Sequence, residues 1–271
     1  MTSIRRFKRL QVLWLAVAVC AIVPAAAIAQ TPIVRLKAAL TPDTLGASTT
    51  VGFGFSIRTA SGAVPPPLVG IRVAFPFGLS FLRSTLGLGE RCSPTALLER
   101  GIISCPLNAR MGTGHARMEA VLGDRRISEP ANITVLAGEP NPNYVEGLFF
   151  TAGWSPLDAQ LVFPMAMYFE TGTRIRFDAT LPLIPTWPDG PIVSVVDLGA
   201  EIGPRHLTYT KEVDGRTVSY HPTGLVLPKS CPRGGFRFSA SFFFHDGSHV
   251  SKQQAVPCPV SRRPRPSDHR Q

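Results

Sequence analysis

The stretch Phe236–His249, FRFSASFFFHDGSH, decides the fold of this chain. Every second residue from Phe236 to Phe244 is apolar, which is the period of a strand that buries one face. The pair Asp246-Gly247 follows and predicts a tight hairpin, because glycine tolerates a positive φ. A two-residue turn at this pair places Phe244 opposite His249 in the next strand.

The same alternation recurs along the chain, and each set predicts a strand with an apolar face turned inward. The sets are Val34/Leu36/Ala38/Leu40, Val51/Phe53/Phe55/Ile57, Ile71/Val73/Phe75, Leu148/Phe150/Ala152 and Ile175/Phe177/Ala179. Shorter strand candidates lie at 115–122, 131–137, 160–164, 192–198 and 206–220. About a dozen short strands separated by turns predict an all-β fold, a two-layer antiparallel β-sandwich of jelly-roll or immunoglobulin-like type.

One domain over residues 31–260 is expected, and two smaller sandwiches over 31–138 and 143–260 are the alternative. The only good helix signal lies between Cys92 and Cys105. There Ser93 can cap a helix, Pro94 suits its first turn and Gly101 ends it. With 44% apolar residues, 24 Gly and 26 Pro, the composition excludes both a coiled coil and wholesale disorder.

Residues 1–29 have the pattern of a secretory signal peptide. A basic head is followed by an uncharged run, broken at Pro24 and ending in the small-x-small site Ala27-Ile28-Ala29. We expect a secreted or cell-surface protein that has no stable transmembrane anchor after cleavage. An uncleaved N-terminal membrane anchor is the alternative, since the run is long enough to span a bilayer.

The net charge of +10 is concentrated at the two ends of the chain. The signal holds four positive charges, and the tail 261–271 holds a net +3 from Arg262, Arg263, Arg265 and Arg270 against Asp268, which leaves about +3 for residues 30–260. So small an excess argues against nucleic acid as a partner. We predict a disordered basic tail that could hold the protein to an anionic polymer of the cell envelope.

Four cysteines remain after cleavage, and an even number in an exported chain predicts disulfides. Proximity favours Cys92–Cys105 and Cys231–Cys258 among the three possible pairings. Loops of this size correspond to about 3–4 kcal/mol of stability for each bridge. The hairpin register carries Cys231 past Cys258, so the residues after Cys231, with Gly234-Gly235 among them, are expected to arch.

The segments Cys92…Cys105-Pro106…Gly112-x-Gly114 and Cys231-Pro232…Gly235-Phe236…Val256-Pro257-Cys258-Pro259 resemble a group of secreted, disulfide-containing proteins of actinobacteria. The opening Leu40-Thr41-Pro42 is similar to them as well. This resemblance implies an exported protein held together by disulfides. It implies no activity, and therefore no catalytic residue is carried over from it.

No catalytic motif stands out in the chain. Gly153-Trp154-Ser155-Pro156-Leu157 fails the G-x-S-x-G pattern at its last position. His245, Asp246 and His249 surround one turn and are the only candidate metal ligands, but a polar hairpin tip explains them better, so we predict neither a metal nor another cofactor. Carboxylates such as Glu139, Glu146, Asp158 and Glu170 could still assemble in space.

Aromatic residues suggest a binding surface instead. Trp187 lies in a predicted loop, and with Trp154 and Tyr144 it could stack against sugar rings or against a partner. The function is therefore unknown, and the favoured class is a non-catalytic secreted or cell-surface protein with a binding or structural role in the envelope. The alternative is a carbohydrate-active or other hydrolase with a spatially assembled site.

Overall fold

A computed structural model of the protein describes residues 31–259 except 88, 154–159, 171–173, 187 and 189. The predicted signal peptide and basic tail lie outside the described residues. The strands are β1 (Ile33–Thr41), β2 (Ser48–Arg58), β3 (Leu68–Ala74), β4 (Arg110–Leu122), β5 (Arg125–Pro140), β6 (Val145–Gly153), β7 (Gln160–Glu170), β8 (Arg174–Thr180), β9 (Ser194–Ile202), β10 (Tyr209–Val213), β11 (Arg216–Tyr220), β12 (Leu225–Val226), β13 (Phe236–Phe244) and β14 (His249–Val256). One α-helix, α1 (Pro94–Arg100), and two 3-10 turns at Ile102–Ser104 and Leu107–Ala109 lie between β3 and β4.

Eleven of these strands form one antiparallel sheet in the order β1-β2-β9-β4-β5-β6-β7-β8-β3-β13-β14, with β12 paired to β2. The end strands β1 and β14 lie next to each other, so the sheet nearly closes on itself. The all-β prediction is confirmed. The predicted division into two sheets is not confirmed, because hydrogen bonding continues from β1 to β14. The order also places β9 between β2 and β4, so strands from both halves of the chain share this sheet.

Aliphatic and aromatic side chains together fill the interior of the sheet. The side chains of Phe236, Phe238 and Phe242 are fully buried, and Phe242 makes an edge contact with Phe55 across the interior at 5.0 Å between ring centroids. A closed sheet widens as strands are added, so eleven strands need large residues to fill the space between them. The filling is incomplete, since a cavity of about 60 Å³ remains between β2, β9 and the facing strands.

The two Asp-Gly turns differ in length. Asp214 and Gly215 both have positive φ in a two-residue turn between Val213 and Arg216, as expected for this pair. The β13–β14 register was predicted wrongly by one residue: Phe243, not Phe244, lies opposite His249. The physical reason is a three-residue loop closed by Phe244 N–H donating to Ser248 C=O, with Gly247 in the left-handed region.

A second, smaller core lies on the outer face of the sheet. Leu97 of α1 packs with both cysteines of the first disulfide against Leu136, Leu148 and Phe150. The predicted helix is present, and Gly101 ends it with a positive φ. The expectation that Leu148 and Phe150 face inward is wrong, because β6 is apolar on both faces and Phe149 fills the interior position. The helix therefore covers β5–β7 in the middle of the sheet.

Both predicted disulfides form, with Cα–Cα distances of 5.1 Å for Cys92–Cys105 and 6.0 Å for Cys231–Cys258. Bridged cysteines fit an oxidising compartment outside the cytoplasm. The predicted arch after Cys231 is present, since Gly234 and Gly235 both adopt positive φ before β13 begins. Within the described part of the chain, no helix combines the length and apolar character needed to cross a membrane.

Candidate functional site

The outer face of β7, β8, β3, β13 and β14 carries one continuous row of residues. Cross-strand pairing gives the order Tyr168, Arg176, Ala74, Ser239 and Gln253. Residues directly opposite in a sheet project from the same face, so these five side chains share one surface. The middle of the row is low because Ala74 and Ser239 are small, and this leaves a depression in the sheet surface.

Arginine side chains surround this depression. Arg174 comes from the start of β8, Arg237 from the start of β13 and Arg233 from the loop before β13. Together with Phe77, Ala74 and Ser239 they line an open groove of about 710 Å³, which we call the arginine groove. All three arginines are exposed, and Phe77 keeps 59% of its surface exposed. Three guanidinium groups, which can bind anions, therefore face solvent beside one apolar ring.

The loop before β13 positions Arg237. A Cβ atom on Gly234 would lie 2.6 Å from Arg237 Nη2, so the guanidinium rests directly on the Gly234 backbone. A Cβ atom on Gly235 would lie 2.6 Å from the carbonyl oxygen of Val256, the last residue of β14. The Cys231–Cys258 bridge joins the two chain segments beside this contact. The chain that continues into the basic tail therefore leaves the sheet at the groove.

An aromatic pair continues the row at the β7 end. The rings of Tyr144 and Tyr168 lie 5.6 Å apart between centroids, and the Arg176 guanidinium lies 4.6 Å from the centre of the Tyr168 ring. Arg176 and Arg72 also approach the carboxylate of Asp178, at 3.2 and 3.1 Å. Asp178 therefore offsets part of the positive charge here, and the arginines of the groove itself lie farther along the strands.

Acidic residues border the site near Tyr144. Burial and the charge of Glu139 both raise the pKa of the Glu146 carboxyl from its ordinary value, with burial the larger cause. The surface thus changes from acidic near Tyr144 to basic around Arg233 and Arg237, and an anion is best accommodated at the basic end.

The predicted stacking trio can be followed only through Tyr144, because Trp154 and Trp187 lie outside the described residues. Tyr144 is half-buried, and its described ring partner is Tyr168. The sequence did not single out Tyr168, since Met167-Tyr168-Phe169 shows no alternation that separates core from surface. The trio therefore stays a prediction.

The polar turn of β13–β14 does not assemble a metal site. The Asp246 carboxylate accepts hydrogen bonds from the Ser248 backbone N–H and hydroxyl, at 3.0 and 2.6 Å. His245 and His249 are both exposed. Within the described ranges no three His, Cys, Asp or Glu side chains gather as metal ligands would, and these three are included.

The arginine groove itself was not predicted. Its signal was present in the polar positions of two strands, Arg237 between Phe236 and Phe238 and Arg174 beside Ile175. Strand alternation shows that such residues face outward, but it does not show which strands are neighbours. The groove depends on β3 lying between β8 and β13, and no local pattern encodes that order.

Comparisons with known proteins add no assignment. No family model matches the chain, and neither the curated proteins nor the solved structures include a significant match. The resemblance to secreted actinobacterial proteins therefore stays a prediction. The function has to be argued from the described residues themselves.

Proposed function

We propose that this protein is an exported, non-catalytic binding protein that attaches to an anionic polymer of the cell envelope through the arginine groove. The observation that carries the proposal is the convergence of Arg174, Arg233 and Arg237 around a floor of small residues. A guanidinium can donate two parallel hydrogen bonds to a phosphate or carboxylate group, which suits it to such polymers.

The place where the described chain ends supports the same function. The chain leaves β14 at Val256, against Gly235 and beside the Cys231–Cys258 bridge. The sequence then continues with Arg262, Arg263 and Arg265. Positive charge on the tail therefore begins within a few residues of the groove. A long polyanion could contact both, and linked contacts of this kind raise the overall affinity.

The aromatic residues favour a polymer that carries sugar rings or other flat groups. Phe77 lies exposed in the groove. Tyr168 lies at the β7 end of the row of residues that crosses the groove, and its ring contacts the Arg176 guanidinium. Aromatic rings next to arginines are a common way of holding a charged chain that also has apolar faces. The hydrolase alternative stays a prediction, because no described arrangement favours it over binding.

Binding to soluble polymers tests this function. Titration calorimetry at low salt would measure the affinity for inorganic polyphosphate and polygalacturonate, with neutral dextran as the reference polymer. We expect the double variant Arg233→Gln/Arg237→Gln to bind the anionic polymers about tenfold more weakly, which corresponds to ~0.7 kcal/mol for each exposed arginine. Neither polyanion binding better than dextran, or the double variant binding as tightly as the natural protein, would contradict the proposal.

A matched control separates the groove from general positive charge. Arg58 and Arg125 are exposed and lie at the end of β2 and at the start of β5. Neighbouring strands are antiparallel throughout the sheet, so both residues lie at the end opposite Arg237. The variant Arg58→Gln/Arg125→Gln loses the same net charge and should keep the binding. Deleting residues 261–271 should reduce retention on cells at low salt, and unchanged retention would exclude a role for the tail.

A further inference from the structure

Two consecutive turns after β3 each carry a large apolar side chain at the tip. The first spans residues 76–79 and is closed by a backbone hydrogen bond of 3.4 Å between its end residues, with Phe77 in a central position. The second spans residues 81–84 and is closed in the same way at 2.8 Å, with Leu82 in a central position. Both side chains are exposed. The tips of these turns therefore present apolar surface to solvent.

The chain on either side of the first turn anchors it. Phe75 and Leu79 are both buried there. Ser80, which lies between the two turns, pairs with Val226 of β12 through two backbone hydrogen bonds of 2.9 Å. These contacts fix where the tips project, and a surface that is formed in advance loses less entropy when it binds a partner.

Apolar residues are unusual at the tips of turns. The central positions of a turn favour glycine, proline and small polar residues, and Gly78, with a φ of 84°, follows this rule whereas Phe77 and Leu82 do not. A single exposed apolar residue needs no explanation, but here a third one adjoins the turns. Phe169, near the end of β7, is exposed, and its ring lies 6.1 Å from the ring of Phe81 between centroids.

The order of strands gathers these residues at one end of the sheet. β7, β8, β3 and β13 are consecutive neighbours, and β7 and β3 end where β8 and β13 begin. Neighbouring strands lie about 4.8 Å apart, so the four strand ends span only about 15 Å. We give the name apolar–basic rim to the exposed residues of this end, which are Phe77, Leu82, Arg83, Phe169, Arg174 and Arg233.

Positive charge surrounds the apolar tips. The segments 75–84, 169–174 and 231–237 together hold four arginines and one acidic residue, Glu170, which is a net charge of +3. Cys258 is bridged to Cys231 in the last of these segments, and the sequence after it adds a further net +3 in residues 261–271. The apolar–basic rim therefore combines large apolar side chains with an excess of positive charge.

We infer that the apolar–basic rim docks on the anionic lipid surface of a membrane, with Phe77, Leu82 and Phe169 entering the boundary between headgroups and acyl chains. A bilayer offers anionic groups directly above an apolar layer, and proteins that lie at its surface combine basic and large apolar residues in this way. Arginine side chains are long enough to reach lipid phosphates from beside the inserted tips. A soluble polyanion offers charge without an apolar layer, so it does not account for the exposed Leu82.

Co-sedimentation with lipid vesicles tests the inference at low salt. We expect the natural protein to bind vesicles of phosphatidylglycerol and phosphatidylcholine in equal parts, and to bind pure phosphatidylcholine more weakly. Leu82→Gln/Phe169→Gln keeps the net charge but should weaken binding to the mixed vesicles about tenfold, because two apolar side chains no longer leave water. Leu82→Gln alone changes a side chain that is almost wholly exposed, so it should fold normally and weaken binding by about threefold.

Leu98→Gln/Ile103→Gln is the matched control. These side chains are 55% and 89% exposed, against 48% for Phe169 and 86% for Leu82. They belong to α1 and the 3-10 turn after it, on the outer face of the sheet. The control should bind the mixed vesicles as the natural protein does. If the natural protein does not prefer the mixed vesicles, or if the control loses as much binding as Leu82→Gln/Phe169→Gln, the inference is wrong.

A second titration separates this inference from the proposed function, because the apolar–basic rim shares Arg174 and Arg233 with the arginine groove. Leu82→Gln/Phe169→Gln should bind polyphosphate at the natural level. Polyphosphate binding without vesicle binding would overturn the membrane inference alone, and vesicle binding without polyphosphate binding would overturn the proposed function alone. Vesicle binding that Leu82→Gln/Phe169→Gln leaves unchanged would show attraction by charge only, which also contradicts docking through the apolar tips.

Discussion

The guanidinium of Arg237 rests on the backbone of Gly234, where a Cβ atom would lie 2.6 Å from Nη2 and 3.2 Å from Nε. Gly234 is held at a φ of 82°. A single glycine therefore has two roles, since it allows the loop before β13 to turn and leaves room for the arginine of the adjoining strand. The shape of the loop and the charge of the groove are linked through this contact.

Substituting Gly234 by alanine should affect both stability and binding. A non-glycine residue in the left-handed region costs about 1–2 kcal/mol, and the new methyl group would displace the Arg237 guanidinium. Gly62→Ala is the matched control, because Gly62 has a φ of 79° and nothing within 4 Å of a Cβ. Both variants should lose similar stability in urea unfolding, while only Gly234→Ala should lose affinity for polyphosphate. Equal affinities in the two variants would show that the contact does not position Arg237.

Glu119 holds two strands and a loop together. Its side chain is only 3% exposed. Its carboxylate accepts from Arg117 Nη1 at 2.9 Å and from Arg126 Nε at 2.7 Å, and Arg126 also donates to the Gly62 carbonyl. Glu119→Gln should lower the free energy of unfolding by about 1–3 kcal/mol, since the charge is lost but the two half-exposed arginines can still be hydrated. Arg117→Gln should cost less than about 1 kcal/mol, and urea unfolding that ranks the two the other way would refute this account.

The two disulfides should differ in their resistance to reduction. Cys92 and Cys105 are buried beneath α1, with 1% and 8% of their surface exposed, whereas Cys231 is exposed. A thiolate must reach a sulfur atom to reduce a bridge, so mild dithiothreitol should open Cys231–Cys258 first. Alkylation and peptide mapping at early times should find label on Cys231 and Cys258. Label appearing first on Cys92 would contradict the burial described here.

The environment of Glu146 predicts a pH dependence of stability. Burial and Glu139 raise the pKa of this carboxyl above its ordinary value of 4.5, so the folded protein binds the proton more tightly than the unfolded chain. The stabilisation from Glu146 is therefore fully present below about pH 4.5 and is lost as the pH rises through the raised pKa. Glu139→Gln should lower the pKa of Glu146 in carbon-detected NMR titrations. An unchanged titration midpoint would show that Glu139 does not contribute.

Local patterns predicted the strands well, because alternation reports directly on which residues are buried. Phe236, Phe238 and Phe242 are fully buried as their spacing indicates, and the Asp214-Gly215 turn has the expected positive φ values. The pattern failed where a second layer covers the sheet. Leu148 and Phe150 face α1 rather than the interior, and nothing in their own strand distinguishes the two surroundings.

The arginine groove could not be predicted, because it depends on the order of strands in the sheet. It needs Arg174 and Arg237 on either side of β3. These two residues are 63 positions apart in the chain. Turn signals specify which consecutive strands form hairpins, but long-range neighbours are set by how the whole sheet packs.

The salt dependence of polyphosphate binding tests the central claim most directly. Each arginine that contacts an anionic group releases about one counterion, so the logarithm of the association constant should fall linearly with the logarithm of the salt concentration. We predict that Arg233→Gln/Arg237→Gln reduces this slope by about two, whereas Arg58→Gln/Arg125→Gln leaves it unchanged. Identical slopes for the natural protein and the groove variant would show that the arginine groove is not where the polymer binds.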